Sequence, residues 1–144
     1  MAFTNFIDWF IPEKSKENLI WRNKARLTTG VMFAFAIILF PNFIRALRIG
    51  RTDIAIMTMC ASLLMACCPL IMRATQSNVV GSNAFLAIFT SLLTFVTVVR
   101  GGITAYYALN YTMVVLLAFL ITGLKNGIAW GAISVAILAS MRVA

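Results

Sequence analysis

The chain contains no histidine and only four acidic residues, Asp8, Glu13, Glu17 and Asp53, so from Ile54 to Ala144 there is no Asp, Glu or His. Paired carboxylates, a Ser-His-Asp triad, a His/carboxylate metal site and an intramembrane carboxylate proton relay therefore all lack their parts in that stretch. Tyr, Cys, Lys and Arg remain, but none stands beside a plausible base. A self-contained enzyme is not expected, and no catalytic residue, cofactor or metal ligand is assigned. Charge of either sign is scarce. Charged residues make up 11% of the chain, against about 25% in an ordinary soluble domain.

What is abundant is apolar: 62% of the 144 residues, with a mean hydropathy of +0.95. No soluble fold this short could hide that much apolar surface. The reading is an integral membrane protein of all-α class, a polytopic transmembrane helical bundle. Five apolar runs, at about 27–44, 54–72, 84–99, 103–124 and 127–141, each approach the ~20 residues a helix needs to cross ~30 Å of hydrocarbon. Pro41 is expected to kink the far end of the first. The breaks between runs carry Gly50, Gly81-Ser82-Asn83, Arg100-Gly101-Gly102 and Lys125-Asn126-Gly127, and such short connections join antiparallel neighbours. Residues 1–26 form a separate region. Phe3, Phe6, Ile7 and Phe10 recur at helical spacing, with Trp9 and Ile11 alongside, which predicts an interfacial amphipathic helix ending near Pro12. A polar, basic linker is expected from Glu13 to Arg26, with Trp21 as an interface anchor.

The net charge is +8, but the cations cluster at the ends of apolar runs, where they meet headgroups. The partner they imply is the lipid bilayer; no nucleic acid is expected. Lys14, Lys16, Arg22, Lys24, Arg26, Arg73 and Lys125 fall on one side, against Arg45, Arg48, Arg51, Arg100 and Arg142 on the other. This bias favours a cytoplasmic amino terminus. Five spans then leave the carboxyl end outside, so a fragment lacking a sixth span is expected.

Four clusters are candidates for more than packing. The second run is rich in sulfur, with Met57, Met59, Cys60, Met65, Cys67, Cys68 and Met72. Thiolates and thioethers suit Cu(I), but Cys60 and Cys67 stand about 10 Å apart along a helix, too far to share one ion. Adaptable packing, or the lining of an apolar pocket, is the expected role. The third run carries Thr90, Thr94 and Thr97 on one face, with Ser91 close by. Those hydroxyls can bond to their own helix or to a neighbour. After Gly101-Gly102 come Tyr106, Tyr107, Asn110 and Tyr111, interface aromatics around an amide that needs a partner. In the fifth run Gly127, Gly131, Ala132, Ala136 and Ser140 form small-residue stripes, which suit close helix approach within the bundle or in a homodimer. The ligand-binding candidates are Cys67, Thr94, Tyr106, Asn110 and Tyr111.

The order of features is also familiar. A basic stretch with Trp21 and Arg26 enters the first span, and a Gly50-centred loop precedes a second span ending at Arg73. The third span ends at Gly101-Gly102, and the fourth closes on Gly123-Leu124-Lys125-Asn126-Gly127 with Trp130 following. Over residues 20–144 this resembles the six-helix membrane sensor module of bacterial histidine kinases and related nucleotide cyclases. Ile103-Thr104-Ala105-Tyr106 stands where that family often has a Ser-Pro step. The resemblance implies a multi-pass protein of the bacterial inner membrane and a sensory input domain. Such a domain detects a small hydrophobic or membrane-borne cue and passes a helix rearrangement to a cytoplasmic kinase or cyclase. The alternatives are a stand-alone partner subunit or passive permease and, from the sulfur-rich span alone, a soft-metal channel.

Overall fold

In the computed structural model the described residues are 2–99 and 105–142, with side chains described for 5–13, 15–99 and 110–141. Seven helices and no strand are found among them: α1 (Ala2–Phe10), α2 (Glu13–Lys16), α3 (Leu19–Arg48), α4 (Thr52–Thr75), α5 (Asn78–Val99), α6 (Ala105–Thr122) and α7 (Leu124–Arg142). The all-α membrane class holds. Leu19–Arg48, Thr52–Thr75, Asn78–Val99 and Leu124–Met141 are each long and apolar enough to cross a membrane, whereas α6 contributes the shorter apolar stretch Asn110–Thr122. Among the described residues four helices therefore meet the spanning criterion where five runs were counted. The chain divides into two compact units, Met1–Phe85 and Leu86–Ala144.

Helix boundaries depart from the apolar runs in an instructive way. The basic stretch expected as a linker is largely the beginning of α3, capped by the Asn18 side chain, which accepts a hydrogen bond from the Ile20 amide at 2.9 Å. Hydropathy marks where a helix becomes apolar, and helix propensity carries it two turns further through Arg22, Lys24 and Arg26. Pro41 does not end α3, which continues to Arg48. A proline removes one N–H and leaves the carbonyl four residues back without its donor. Carbonyls on either side of that one receive side chains instead: Ser62 Oγ of α4 donates to the Ala36 carbonyl at 2.9 Å, and Asn42 Nδ2 to that of Ile38 at 3.4 Å.

In the first unit α3 and α4 pack along matching seams. Ala25, Thr29, Met32, Ala36 and Leu39 are buried on α3, with Thr28 beside them, and Ile54, Thr58, Ala61, Met65, Cys68 and Met72 are buried on α4. These alternate steps of three and four residues are the period of knobs-into-holes packing. Three of the seven sulfur residues of α4 therefore fill the core, Met65, Cys68 and Met72 being fully buried, while Cys60 and Cys67 are exposed.

Gly81, expected in a loop, lies inside α5. A Cβ there would meet Met72 Cγ at 1.9 Å and the Cys68 carbonyl oxygen at 3.2 Å. This glycine permits a close crossing of α4 and α5 instead of breaking a helix, which is how a run that looked too short begins six residues earlier. The turn between α4 and α5 is made by Gln76 in the left-handed region at φ +52°, with its Nε2 donating to the Arg73 carbonyl at 2.7 Å.

The amino-terminal helix exists as predicted, but its apolar side is docked on protein. Ile7, Phe10 and Ile11 are buried, with Ala25 beneath, and the rings of Phe6 and Phe10 lie 5.6 and 5.3 Å from that of Phe33. Phe6 and Trp9 stay exposed. The Asp8 carboxylate receives both Nε (2.6 Å) and an Nη of Arg26, and this bidentate contact holds its carboxyl below the ordinary value of 3.8 despite opposing desolvation.

In the second unit Gly123, at φ +93°, turns α6 into α7. A Cβ at Gly127 would meet the Phe119 ring at 2.4 Å, and one at Gly131 would touch Val115 at 3.7 Å. One half of the small-residue pattern thus faces α6. Ala132, Ala136 and Ser140 are exposed.

Two outcomes follow from this packing. Gly81→Ala should destabilise the protein by about 1–3 kcal/mol, the usual cost of overpacking, measured by thermal unfolding in detergent against Gly30→Ala, where a Cβ meets nothing within 4 Å. Because the folded-state pKa of Asp8 is lowered, its contribution is present above the unfolded value and lost as pH falls through the folded one. The protection of the α1 amides, taken relative to the intrinsic exchange rate at each pH, should fall on going from pH 7 to about pH 3, and Asp8→Asn should show the lower protection already at pH 7. Protection independent of both would exclude the ion pair as the clasp.

Candidate functional site

The five ligand-binding candidates from the sequence do not form one site. Cys67 is in the first unit, exposed on α4. Thr94, Asn110 and Tyr111 are in the second unit. Tyr106 lies on α6 with its side chain outside the described residues, and Arg100, Gly101 and Gly102 lie outside them altogether.

Thr94 and Tyr111 do meet. Tyr111 is fully buried, and its hydroxyl is 2.7 Å from Thr94 Oγ1. The Thr94 hydroxyl also lies 2.8 Å from the Thr90 carbonyl, to which it donates. It has a single proton. With that proton on the Thr90 carbonyl, the Tyr111 O–H donates to Thr94, and a directional bond joins α5 to α6. Thr97 likewise donates to its own helix, to the Leu93 carbonyl at 2.7 Å. Thr90 Oγ1 and Ser134 Oγ are buried with no hydrogen-bond partner among the described residues. Asn110, next to Tyr111, is half-buried. The arrangement can hold two helices in register and offers unfilled acceptor capacity on Tyr111. Among the described residues it brings no carboxylate or imidazole to these hydroxyls.

A cavity that sequence reading missed lies in the first unit, in the membrane-spanning part of α3 and α4. It is a groove of about 490 Å³, walled by Phe33, Ala36, Ile37, Phe40 and Pro41 of α3 and by Ser62 and Ala66 of α4. The α3 residues follow the i, i+3, i+4, i+7, i+8 spacing of one helical face. Ile37 and Phe40 are exposed, at 70% and 50%, so the groove opens to the side, toward lipid. Ala36, Ser62 and Ala66 are small, and the hollow is the space their missing side-chain atoms leave. Ser62 is its one hydroxyl, and its proton is committed to the Ala36 carbonyl. The groove is suited to an aliphatic or aromatic body and makes no provision for charge. The available signal was the pair Ser62 and Ala66 one turn apart, set against Pro41. Cys67 is not among the lining residues.

Among the described residues no group of three or more His, Cys, Asp or Glu could hold a metal ion.

Tyr111→Phe removes the donor to Thr94 while keeping the ring. A loss of about 0.6–1.7 kcal/mol is expected, the range of interhelical side-chain hydrogen bonds in membranes. Unfolding of Tyr111→Phe, Thr94→Val and the double variant gives the coupling between them. Strict additivity would mean that the two hydroxyls do not interact.

Compared with known proteins, the chain matches no family model, no curated protein and no solved structure.

Proposed function

We propose that this membrane protein is a sensory input module of the bacterial cell membrane. A hydrophobic or membrane-borne molecule enters the α3–α4 groove from the bilayer and favours one of two helix arrangements. That change is handed to a cytoplasmic kinase or cyclase domain outside this chain. The observation carrying the reading is the lateral groove beside Pro41. It is apolar, it is open at the depth where such a molecule travels, and it lies where α3 lacks a backbone N–H. A helix is most easily bent at that point. To act as a signal, the molecule must bind one arrangement more tightly, by about 1–3 kcal/mol. The order of glycines and cations that resembles sensor modules supports the same reading.

A second reading is a subunit that packs against another membrane helix, either a second copy or an unlike partner. The exposed small residues Ala132, Ala136 and Ser140 on α7 favour it, because small side chains let helices approach in lipid.

Photolabelling separates the two. A diazirine-bearing fatty acid, irradiated in membranes containing the protein, should label peptides that include Phe33 to Pro41 and Ser62 to Ala66. Ala66→Phe fills the hollow and should cut that labelling several-fold while leaving labelling of α7 unchanged. Labelling of the groove peptides that is no stronger than elsewhere, or that Ala66→Phe leaves untouched, would overturn the groove as a binding site and leave the subunit reading.

A further inference from the structure

Three arginines converge on the end of α1. Arg26 grips the Asp8 carboxylate. Arg73, from the last turn of α4, donates to the Trp9 carbonyl at 3.0 Å and lies 3.8 Å over the Trp9 ring. Arg22, one turn before Arg26, acts on the Asp8 charge from farther off. The local carboxylates do not balance these cations. Asp8 is taken by Arg26, Glu13 is paired with Lys16 at 2.7 Å, and Glu17 is exposed, in no ion pair among the described residues. Lys24 is engaged by the Trp21 ring at 5.7 Å. Among the described residues Arg22 makes no direct ion pair and lies over no ring, and its Nε is buried without a hydrogen-bond partner.

A buried guanidinium N–H without an acceptor is costly, and native proteins rarely leave one so. The acceptor that fits a planar fork beside two further arginines is a phosphate. Its surroundings indicate which phosphate. Leu19, Ile20 and Trp21, on the turn that carries Arg22, are exposed, as are Phe6 and Trp9 of α1. Exposed aromatic and aliphatic side chains around a basic cluster at the end of a spanning helix belong at the headgroup level of a bilayer. We propose that Arg22, flanked by Arg26 and Arg73, binds the headgroup phosphate of an anionic membrane phospholipid, and that the α1–α3–α4 junction is a lipid site of the protein itself. This assignment is independent of the sensory reading and of the groove.

The test uses the full chain purified in a neutral detergent and titrated with phosphatidylglycerol, phosphatidylcholine or inorganic phosphate, with binding followed by native mass spectrometry and by the shift in melting temperature. Phosphatidylglycerol should bind at least about tenfold more tightly than phosphatidylcholine. Arg22→Gln should remove most of that difference, and Arg48→Gln, at the other end of α3, should leave it intact. Equal affinity for the two lipids, or a preference that survives Arg22→Gln, would overturn the site. If Arg22→Gln does not purify folded, Arg22→Lys replaces it. It keeps the charge without the fork and should weaken phosphatidylglycerol binding several-fold, and unaltered binding would again overturn the site. Inorganic phosphate that stabilises as well as the lipid, at equal phosphate concentration, would assign the cluster to a soluble anion and reject the lipid.

Discussion

Hydrocarbon offers no hydrogen-bond partner, and this condition governs most of what is seen in the protein. Backbone polar groups must be met within the helices, so the spanning segments are continuous and long, and α3 runs through Pro41 without ending. Many side-chain hydroxyls obey the same condition, although those of Thr29, Thr90 and Ser134 are buried without a hydrogen-bond partner among the described residues. Thr58, Thr94, Thr97 and Thr122 each donate to the carbonyl four residues back, which satisfies the hydroxyl proton within its own helix. Ser62 and Tyr111 go further and carry their hydrogen bonds to another helix. A directional bond between helices sets their rotation, which dispersion between apolar faces specifies only loosely.

A second consequence concerns how the helices associate. Lipid tails are as apolar as leucine, so burial alone does not draw spanning helices together; close packing has to. The seam between α3 and α4 is accordingly built from alanine, threonine and methionine, and Gly81 and Gly127 stand where another side chain would collide with Met72 or Phe119. The groove beside Pro41 is the other face of the same choice. Small residues that let helices approach at one level leave a hollow at another, where Ala36, Ser62 and Ala66 face the larger side chains of α3. A ligand that filled the hollow would gain the dispersion contacts the protein forgoes there.

The charged end of the first unit works by different rules, because headgroups and water replace hydrocarbon. There α1 is held by a bidentate ion pair, by an arginine on its terminal carbonyl and ring, and by three buried apolar side chains. The arginine on the Trp9 carbonyl also meets the negative end of the α1 dipole. Glu13 donates its amide to Gln76 Oε1 at 2.9 Å, and Asn78 Nδ2 donates to Ser15 Oγ at 3.1 Å, so the segment after α1 is tied to the turn between α4 and α5. A helix that hydropathy alone assigns to the lipid interface is thus a structural part of the first unit.

Composition and spacing determined the class of this protein and the approximate position of its helices, because crossing hydrocarbon demands apolar length and each demand is local to one segment. They also marked the interfacial spacing of Phe6, Ile7 and Phe10, the return of threonine hydroxyls to their own helices, and the packing role of Met65, Cys68 and Met72. Only the tertiary structure decided that Gly81 is a crossing point and not a loop, that Arg22 to Arg26 are helical, that Thr94 meets Tyr111, and that a hollow lies beside Pro41. The reason is physical. In a soluble helix the polar face shows which side looks outward, but a helix in lipid is apolar all round. Its sequence therefore carries almost no contrast between the face that meets a neighbour and the face that meets the bilayer.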